Sequence, residues 1–481
     1  MKQTDWKIIY SSYKGVSKRT VQFLSKEVGK YLIRETNVYR IYVLPCEKEG
    51  CEVSKNAFFV GLYDESTEMQ KFVKREEVPE NGFLVKVVKN PSDEEGRFVL
   101  ITSCNEQELF YGAVHFIDDY IPSYCKKHGA NPMPDLIFDS PLQVYSYSEI
   151  TDNKTRSIFT WGHSISDYRS YIDNMARAKF NELVLWNDFV PLNIDEIIDY
   201  AHSYGIKVIL GYSWGWNEML KNRAEPFSVV SFEKIKENVV EEYIKNYKQI
   251  DCDGIYFQSF TERNDEYING KSVAALVTDM VNDVADKLWQ ITPGLRLIFG
   301  LHATSVKNHL EEIANVNSEI EILWEDCGEF PYNYNSSVSD IGEFEKTLEF
   351  TDKLLKLRGG KGVGLVLKGV MMLDWNRFVH QSGPFVMGNN TKEIIIHDKN
   401  MRANSWRIYS ADWLQSGEDT LRLIRYIKDN KTDDVNMCIA GTFDGGSYLP
   451  FSLCAEMFRN SGREYGEILN KVSKRANITV D

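Results

Sequence analysis

The stretch "IEILWEDCGEF", residues 320–330, ends an apolar run in a cluster of acids. Ile320, Ile322, Leu323 and Trp324 give way to Glu325 and Asp326, with Glu329 beyond Gly328 and just before Pro331. Carboxylates resist burial and repel one another, so a cluster of them at the mouth of an apolar strand points to chemistry. A further acid, Glu262, closes "GIYFQSFTE". Two carboxyl groups facing each other across a bond to a leaving oxygen can cleave it. One protonates the oxygen; the other acts as nucleophile or activates water on the opposite face.

Aromatic and hydrogen-bonding side chains recur at the ends of other apolar runs. Trp161 and His163 follow "RSIFT", Trp186, Asn187 and Asp188 close "ELVLWND", and Trp214 and Trp216 follow "KVILGYS". Gln258 precedes Glu262, His302 follows "LRLIFGL", and Asp374 and Trp375 close "GVMMLDW". Phe443 and Asp444 end the last run. Flat aromatic faces stack on the C–H faces of a sugar, while amides, carboxylates and imidazoles take its hydroxyls. The set therefore predicts a site for a polyhydroxylated ligand, and a two-carboxylate glycosidase when joined to the acids.

Such side chains converge only if the runs are strands of one closed sheet. From residue 156 onward, eight short apolar segments alternate with helical patterns. One of these is "DYRSYIDNMARAKF", with Tyr168, Tyr171, Ile172, Met175 and Ala178 on one face. The seventh strand is read as "GVMMLDW", with the preceding "GVGLVLK" leaving its start open, and the eighth as "NMCIAGTFDGG". That alternation predicts an α/β fold with a (β/α)8 TIM barrel, whose functional groups lie where strands pass into the following loops. An open doubly wound sheet would want a glycine-rich phosphate loop, and the chain has no GxGxxG or GxxxxGK[ST]. Before the barrel, "VYRIYVL", "NAFFVGLYD", "GFLVKVVKN" and "GRFVLITSC" read as strands and "NEQELFYGAVHFIDDYI" as a helix with Asn105 as its N-cap. The expected division is an N-terminal non-catalytic α/β domain over 1–140 and a catalytic barrel over 141–481.

Side-chain alternation ranks the acids. If Tyr256, Gln258 and Phe260 point into the barrel, so does Glu262, the expected general acid. If Ile320, Ile322 and Trp324 point inward, so does Asp326, the expected second carboxylate, with Glu325 its electrostatic neighbour.

The bulk composition fits that reading. The 481 residues are 43% hydrophobic, enough for a large core, and the formal charge of −14 disfavours nucleic acid and anionic membranes as partners. The N-terminus lacks the apolar stretch of a signal peptide, so the chain reads as cytoplasmic. Eight cysteines show neither CxxC nor zinc spacing and read as free thiols, with no metal and no cofactor expected.

Two segments add a resemblance. "GRFVLITSCNEQELFYGAVHFIDDYI" looks like the last strand and helix of the small α+β (zincin-like) domain that precedes the barrel in β-N-acetylhexosaminidases and α-glucuronidases. "TFDGGSYLPFSLCAEMFRN" resembles the final barrel segment of α-glucuronidase-like enzymes. The resemblance spans most of residues 38–475 and implies a glycoside hydrolase. Hexosaminidases that use the substrate's acetamido group carry an adjacent acidic pair after strand four. Here Thr261-Glu262 stands there, which departs from that pattern and agrees better with the lone acid of α-glucuronidases. Two other readings stay open: a sugar-binding barrel without turnover, and a metal-dependent barrel hydrolase, for which the single His163 and His302 give weak support. The expected partner is a carbohydrate substrate, with a homodimer left open.

Overall fold

The computed structural model describes residues 6–31, 44–46, 55–123, 141–160, 165–187, 189–215, 229–325, 344–367, 383–433, 436–441 and 448–476. The chain forms two compact units, Met1–Thr151 with Ser203–Gly205 and Asn470–Asp481, and Asp152–His202 with Ile206–Leu469.

The first unit is built on a six-stranded mixed sheet. Its strands are β1 (Trp6–Tyr10), β2 (Leu44–Cys46), β3 (Asn56–Leu62), β4 (Gly82–Asn90), β5 (Asp93–Ser103) and β6 (Tyr145–Ile150), in the order β2-β1-β3-β5-β4-β6. The sheet is parallel from β2 to β5 and antiparallel from β5 to β6. Ala57, Phe59, Leu84, Phe98 and Leu100 form the core of one face with Met69, Val73 and Val78. Asn105 caps the helix Glu106–His115, accepting from Glu108 N at 2.9 Å, as its sequence pattern predicts. Strand β1 and the helix Gly15–Tyr31 were not anticipated, because the polar flanks of "DWKIIYSSYKG" dilute a short apolar run.

The second unit is the predicted barrel. Strands β7 (Arg156–Phe159), β8 (Glu182–Trp186), β9 (Lys207–Ser213), β10 (Gly254–Gln258), β13 (Leu297–Leu301), β14 (Ile320–Trp324), β15 (Val363–Leu367) and β16 (Met437–Ala440) close on one another. Every neighbouring pair is parallel. A small hairpin, β11 (Tyr267–Ile268) and β12 (Lys271–Ser272), interrupts the connection after β10. The seventh strand is thus "VGLVL"; the "GVMMLDW" run lies outside the described residues. A 39-residue helix, Lys392–Asn430, leads to β16 and had no counterpart in the sequence reading. Among the described residues no helix is long and apolar enough to cross a membrane.

The interior is layered, as strand alternation requires. Phe159, Val184, Trp186, Ile209, Tyr256, Ile298, Leu323, Val366 and Cys438 meet in one buried cluster. Below it, at the strand N-termini, Glu182 accepts from Ser157 Oγ at 2.8 Å and from Asn436 Nδ2 and Arg296 Nη1. Arg296 also donates to both oxygens of Glu321, at 2.6 and 2.9 Å. Burial opposes the charge on Arg296, and the two carboxylates more than restore it.

This layering corrects the assumed register of β14. Leu323 faces inward, so Glu321 and Glu325 share its face and Ile320, Ile322 and Trp324 face the surrounding helices. The error has a plain cause. In a parallel barrel both strand faces are buried, so apolar spacing alone does not say which is inside.

Candidate active site

Glu325 is the first residue past β14, and its backbone N–H bonds to Leu301 O at 3.0 Å, which extends the strand pairing by one step. Its side chain turns into the C-terminal end of the barrel and is wholly buried. Oε1 accepts from Tyr256 Oη and from Gln258 Nε2, both at 2.5 Å. His302 Nε2 lies 3.1 Å from Oε2, within ion-pair range, and 3.5 Å from Gln258 Nε2. Tyr256 and Gln258 stand two residues apart on β10 and so share its inner face. Burial, then the neighbouring Glu325 charge, pushes the Tyr256 phenol well above its usual range, so it serves Glu325 as a proton-bearing donor.

Glycine makes the arrangement fit. Gly300 on β13 faces the same space, and a Cβ there would collide with Glu325 Oε1 and with Tyr256 Oη. Gly211 on β9 does the same for Trp186, whose ring a Cβ would meet at 2.6 Å. Trp186 packs edge-on against Tyr256 at 6.1 Å between centroids. Next to it, Asn187 is buried, and its Nδ2 has no hydrogen-bond partner. Gln258 Oε1 is likewise buried without one. Polar atoms left this way cost free energy unless a ligand or water completes them.

The structure therefore brings together Glu325, Gln258, His302 and, through Tyr256, Trp186; Asn187 follows Trp186 in the chain. It places two tryptophans elsewhere. Trp214 stacks face to face on Phe257, centroids 3.6 Å apart, and Phe257 stacks on Phe299, on the outer face of the strands. Trp324 is buried against Phe350 of the helix Phe344–Leu357, 4.6 Å between centroids. These rings belong to the layer between barrel and helices. Glu262 is exposed in the turn after β10, where Thr261 O accepts from Ser305 N and Oγ at 3.1 and 2.7 Å. Asp326, Trp161, His163, Asp188, Trp216, Asp374 and Trp375 lie outside the described residues. Tyr256 and Gly300 were missed as site residues, although Tyr256 shares its alternation with Gln258.

A carboxylate buried among a phenol, an amide and an imidazole is held in a fixed position. In a low-dielectric interior its field on a developing positive charge is stronger than it would be in water. Among the described residues no group of three His, Cys, Asp or Glu side chains is placed to hold a metal ion.

No family model and no curated protein matches the chain. Solved structures do. A GH115 4-O-methyl-α-glucuronidase with specificity for decorated arabinogalactans aligns at 11% identity and TM-score 0.53, covering 98% of this chain and 59% of its own. A GH138 enzyme targeting pectin rhamnogalacturonan II gives 10% identity and TM-score 0.49 over 99% of this chain and 51% of its own. The GH20 exo-β-N-acetylglucosaminidase of Vibrio harveyi gives 11% and 0.48 over 98% and 73%. The chain thus spans about half the length of the GH138 enzyme and 59% of the α-glucuronidase. What the chain shares with the α-glucuronidase structure is its architecture: the protein has a (β/α)8-barrel fold.

Proposed function

We propose that the protein is a glycosidase that cleaves O-glycosyl bonds, with Glu325 as the fixed negative charge of its site. The observation that carries this reading is a wholly buried carboxylate inside the C-terminal end of the barrel, held by Tyr256 and Gln258. Such a group stabilises the oxocarbenium-like transition state of glycoside cleavage. Glu262, on the loop after β10, is the proton donor to the leaving oxygen, and Asp326 is the candidate to activate water or attack the anomeric carbon. In the overall reaction the bond from the anomeric carbon to the glycosidic oxygen breaks. The leaving oxygen takes a proton, and the anomeric carbon ends with a hydroxyl from water. Trp186, Asn187, Gln258 and His302 supply the stacking face and hydrogen-bonding groups for the sugar.

The α-glucuronidase fold likeness supports a glycoside substrate without naming the sugar. A panel of p-nitrophenyl glycosides and short oligosaccharides tests the proposal. Release of nitrophenol from at least one member, lost in Glu325→Gln, is the expected result. Sugar binding by calorimetry with no turnover across the panel would replace it with the sugar-binding barrel.

A further inference from the structure

Among the described residues eleven large apolar side chains are exposed, and five of them fall in two short segments: Phe189 and Leu192, and Val386, Ile394 and Ile396. The first segment is the loop that leaves β8; the second precedes and opens the long helix Lys392–Asn430. The two are tied together. Leu192 N donates to Phe385 O at 2.8 Å, and Asn193 bonds Met387 through its side chain at 2.9 and 2.8 Å. Leu192 is 70% exposed, Val386 56% and Phe189 43%, while Phe385 is half-buried beside them. Hydrogen bonds thus fix in place an apolar surface that no described residue covers, which is costly unless something binds there.

Its position says what. Trp186, the inward-facing last residue of β8, is followed directly by Asn187, a buried amide whose Nδ2 has no hydrogen-bond partner. Phe189 follows two residues later, a reach of at most about 7 Å of chain. The chain therefore runs from the inward-facing Trp186, past a buried donor that lacks an acceptor, to an exposed apolar patch on the loop after β8. A ligand that satisfies both has a hydroxylated head and an apolar tail.

We propose that the site takes glycosides with an apolar aglycone, the sugar meeting Asn187 and the aglycone lying on Phe189, Leu192, Phe385 and Val386. This specificity rests on the glycosidase reading above, but its binding part can be tested without turnover. The probes are methyl, phenyl and octyl glycosides of glucose, N-acetylglucosamine and glucuronic acid, kept below micelle-forming concentration. Binding is read by calorimetry and hydrolysis by release of the reducing sugar. Each buried methylene should tighten binding about fourfold, so octyl should exceed methyl by at least about tenfold. The phenyl and octyl arms distinguish an aryl from an alkyl aglycone. Leu192→Asp and Val386→Asp should collapse the octyl-to-methyl ratio towards one, and Ile244→Asp, at an exposed position on the helix Val229–Asn246, should leave it intact. A preserved octyl preference with no hydrolysis would sink the glycosidase reading and keep this one. Equal binding of methyl, phenyl and octyl forms overturns it. So does an unchanged ratio in Leu192→Asp accompanied by a shift from dimer to monomer in sedimentation, which would make the patch an interface between copies.

Discussion

Replacing Glu325 separates what its charge does from what its shape does. Glu325→Gln keeps an oxygen where Tyr256 Oη and Gln258 Nε2 now donate, so both donors stay satisfied and the space bounded by Gly300 is filled as before. Its stability should change little. Glu325→Ala instead leaves the phenol and the amide buried without an acceptor, at roughly 1–3 kcal/mol each. It should therefore unfold with about 2–6 kcal/mol less stability before any cavity is counted. The two variants should nevertheless lose activity together. A preorganised electrostatic group of this kind is worth about 10²–10³ in rate, or about 2.7–4 kcal/mol of barrel-held transition-state stabilisation. Denaturant unfolding and kcat on the best glycoside of the panel give both readouts. A Glu325→Gln enzyme that is stable and within about threefold of wild-type rate would refute the charge argument, since the threshold is far below the expected loss. Equal destabilisation of the Gln and Ala variants would refute the geometric one.

Three further outcomes follow from other parts of the molecule. Glu262→Gln should cost about 10²–10⁴ in rate on substrates with a poor leaving group and much less on nitrophenyl glycosides; an equal loss on both would remove Glu262 as the acid. Trp324→Ala should lower stability by roughly 3–5 kcal/mol, because the ring is buried against Phe350, and should leave KM near wild type. A raised KM with an unchanged melting curve would return Trp324 to the binding site. In the first unit, burial alone would raise the Asp119 carboxyl, but the charges of Arg475 and Lys471 and the bond to His115 hold it well below its ordinary 3.8. Its stabilising effect is therefore complete above about pH 4 and lost as pH falls below that through the depressed folded value. Asp119→Asn should flatten the acid limb of a urea-midpoint profile; an unchanged slope between pH 4 and pH 2 would contradict the assignment.

The strands of the barrel were legible because each is a short apolar run bounded by turn residues, and seven of the eight fall where the sequence places them. The seventh was misplaced because two apolar runs, "GVGLVLK" and "GVMMLDW", follow each other and either satisfies the pattern. Facing was less legible than existence. Trp324 and Trp214 stand at strand ends as a sugar-binding rim would require, yet their register turns them towards the helices. Trp186, with the same kind of sequence neighbourhood, turns inward because Gly211 leaves room for its ring. The deciding residue is on another strand, 25 positions away in the chain, and no local pattern reports it. Gly300 is the same case for Glu325: a glycine in an apolar run reads as a weak strand position until its cross-strand neighbours are known.

The barrel carries buried carboxylates at both ends, and their settings differ in a way that separates structure from chemistry. At the N-terminal end Glu182 and Glu321 share one guanidinium, Arg296, and Glu182 is further held by Ser157 and Asn436. Charge is answered by charge there, and the arrangement has the character of a closed ionic plug whose disruption would cost stability. At the C-terminal end Glu325 meets a phenol, an amide and an imidazole, groups that orient a carboxylate without supplying a permanent positive charge. Between the two ends lies the apolar layer of Phe159, Val184, Ile298, Leu323 and Cys438. That layer separates Glu182 and Glu321 from Glu325. Under the proposed glycosidase reading, Glu325 is the anion that would stabilise an oxocarbenium-like sugar at the C-terminal end.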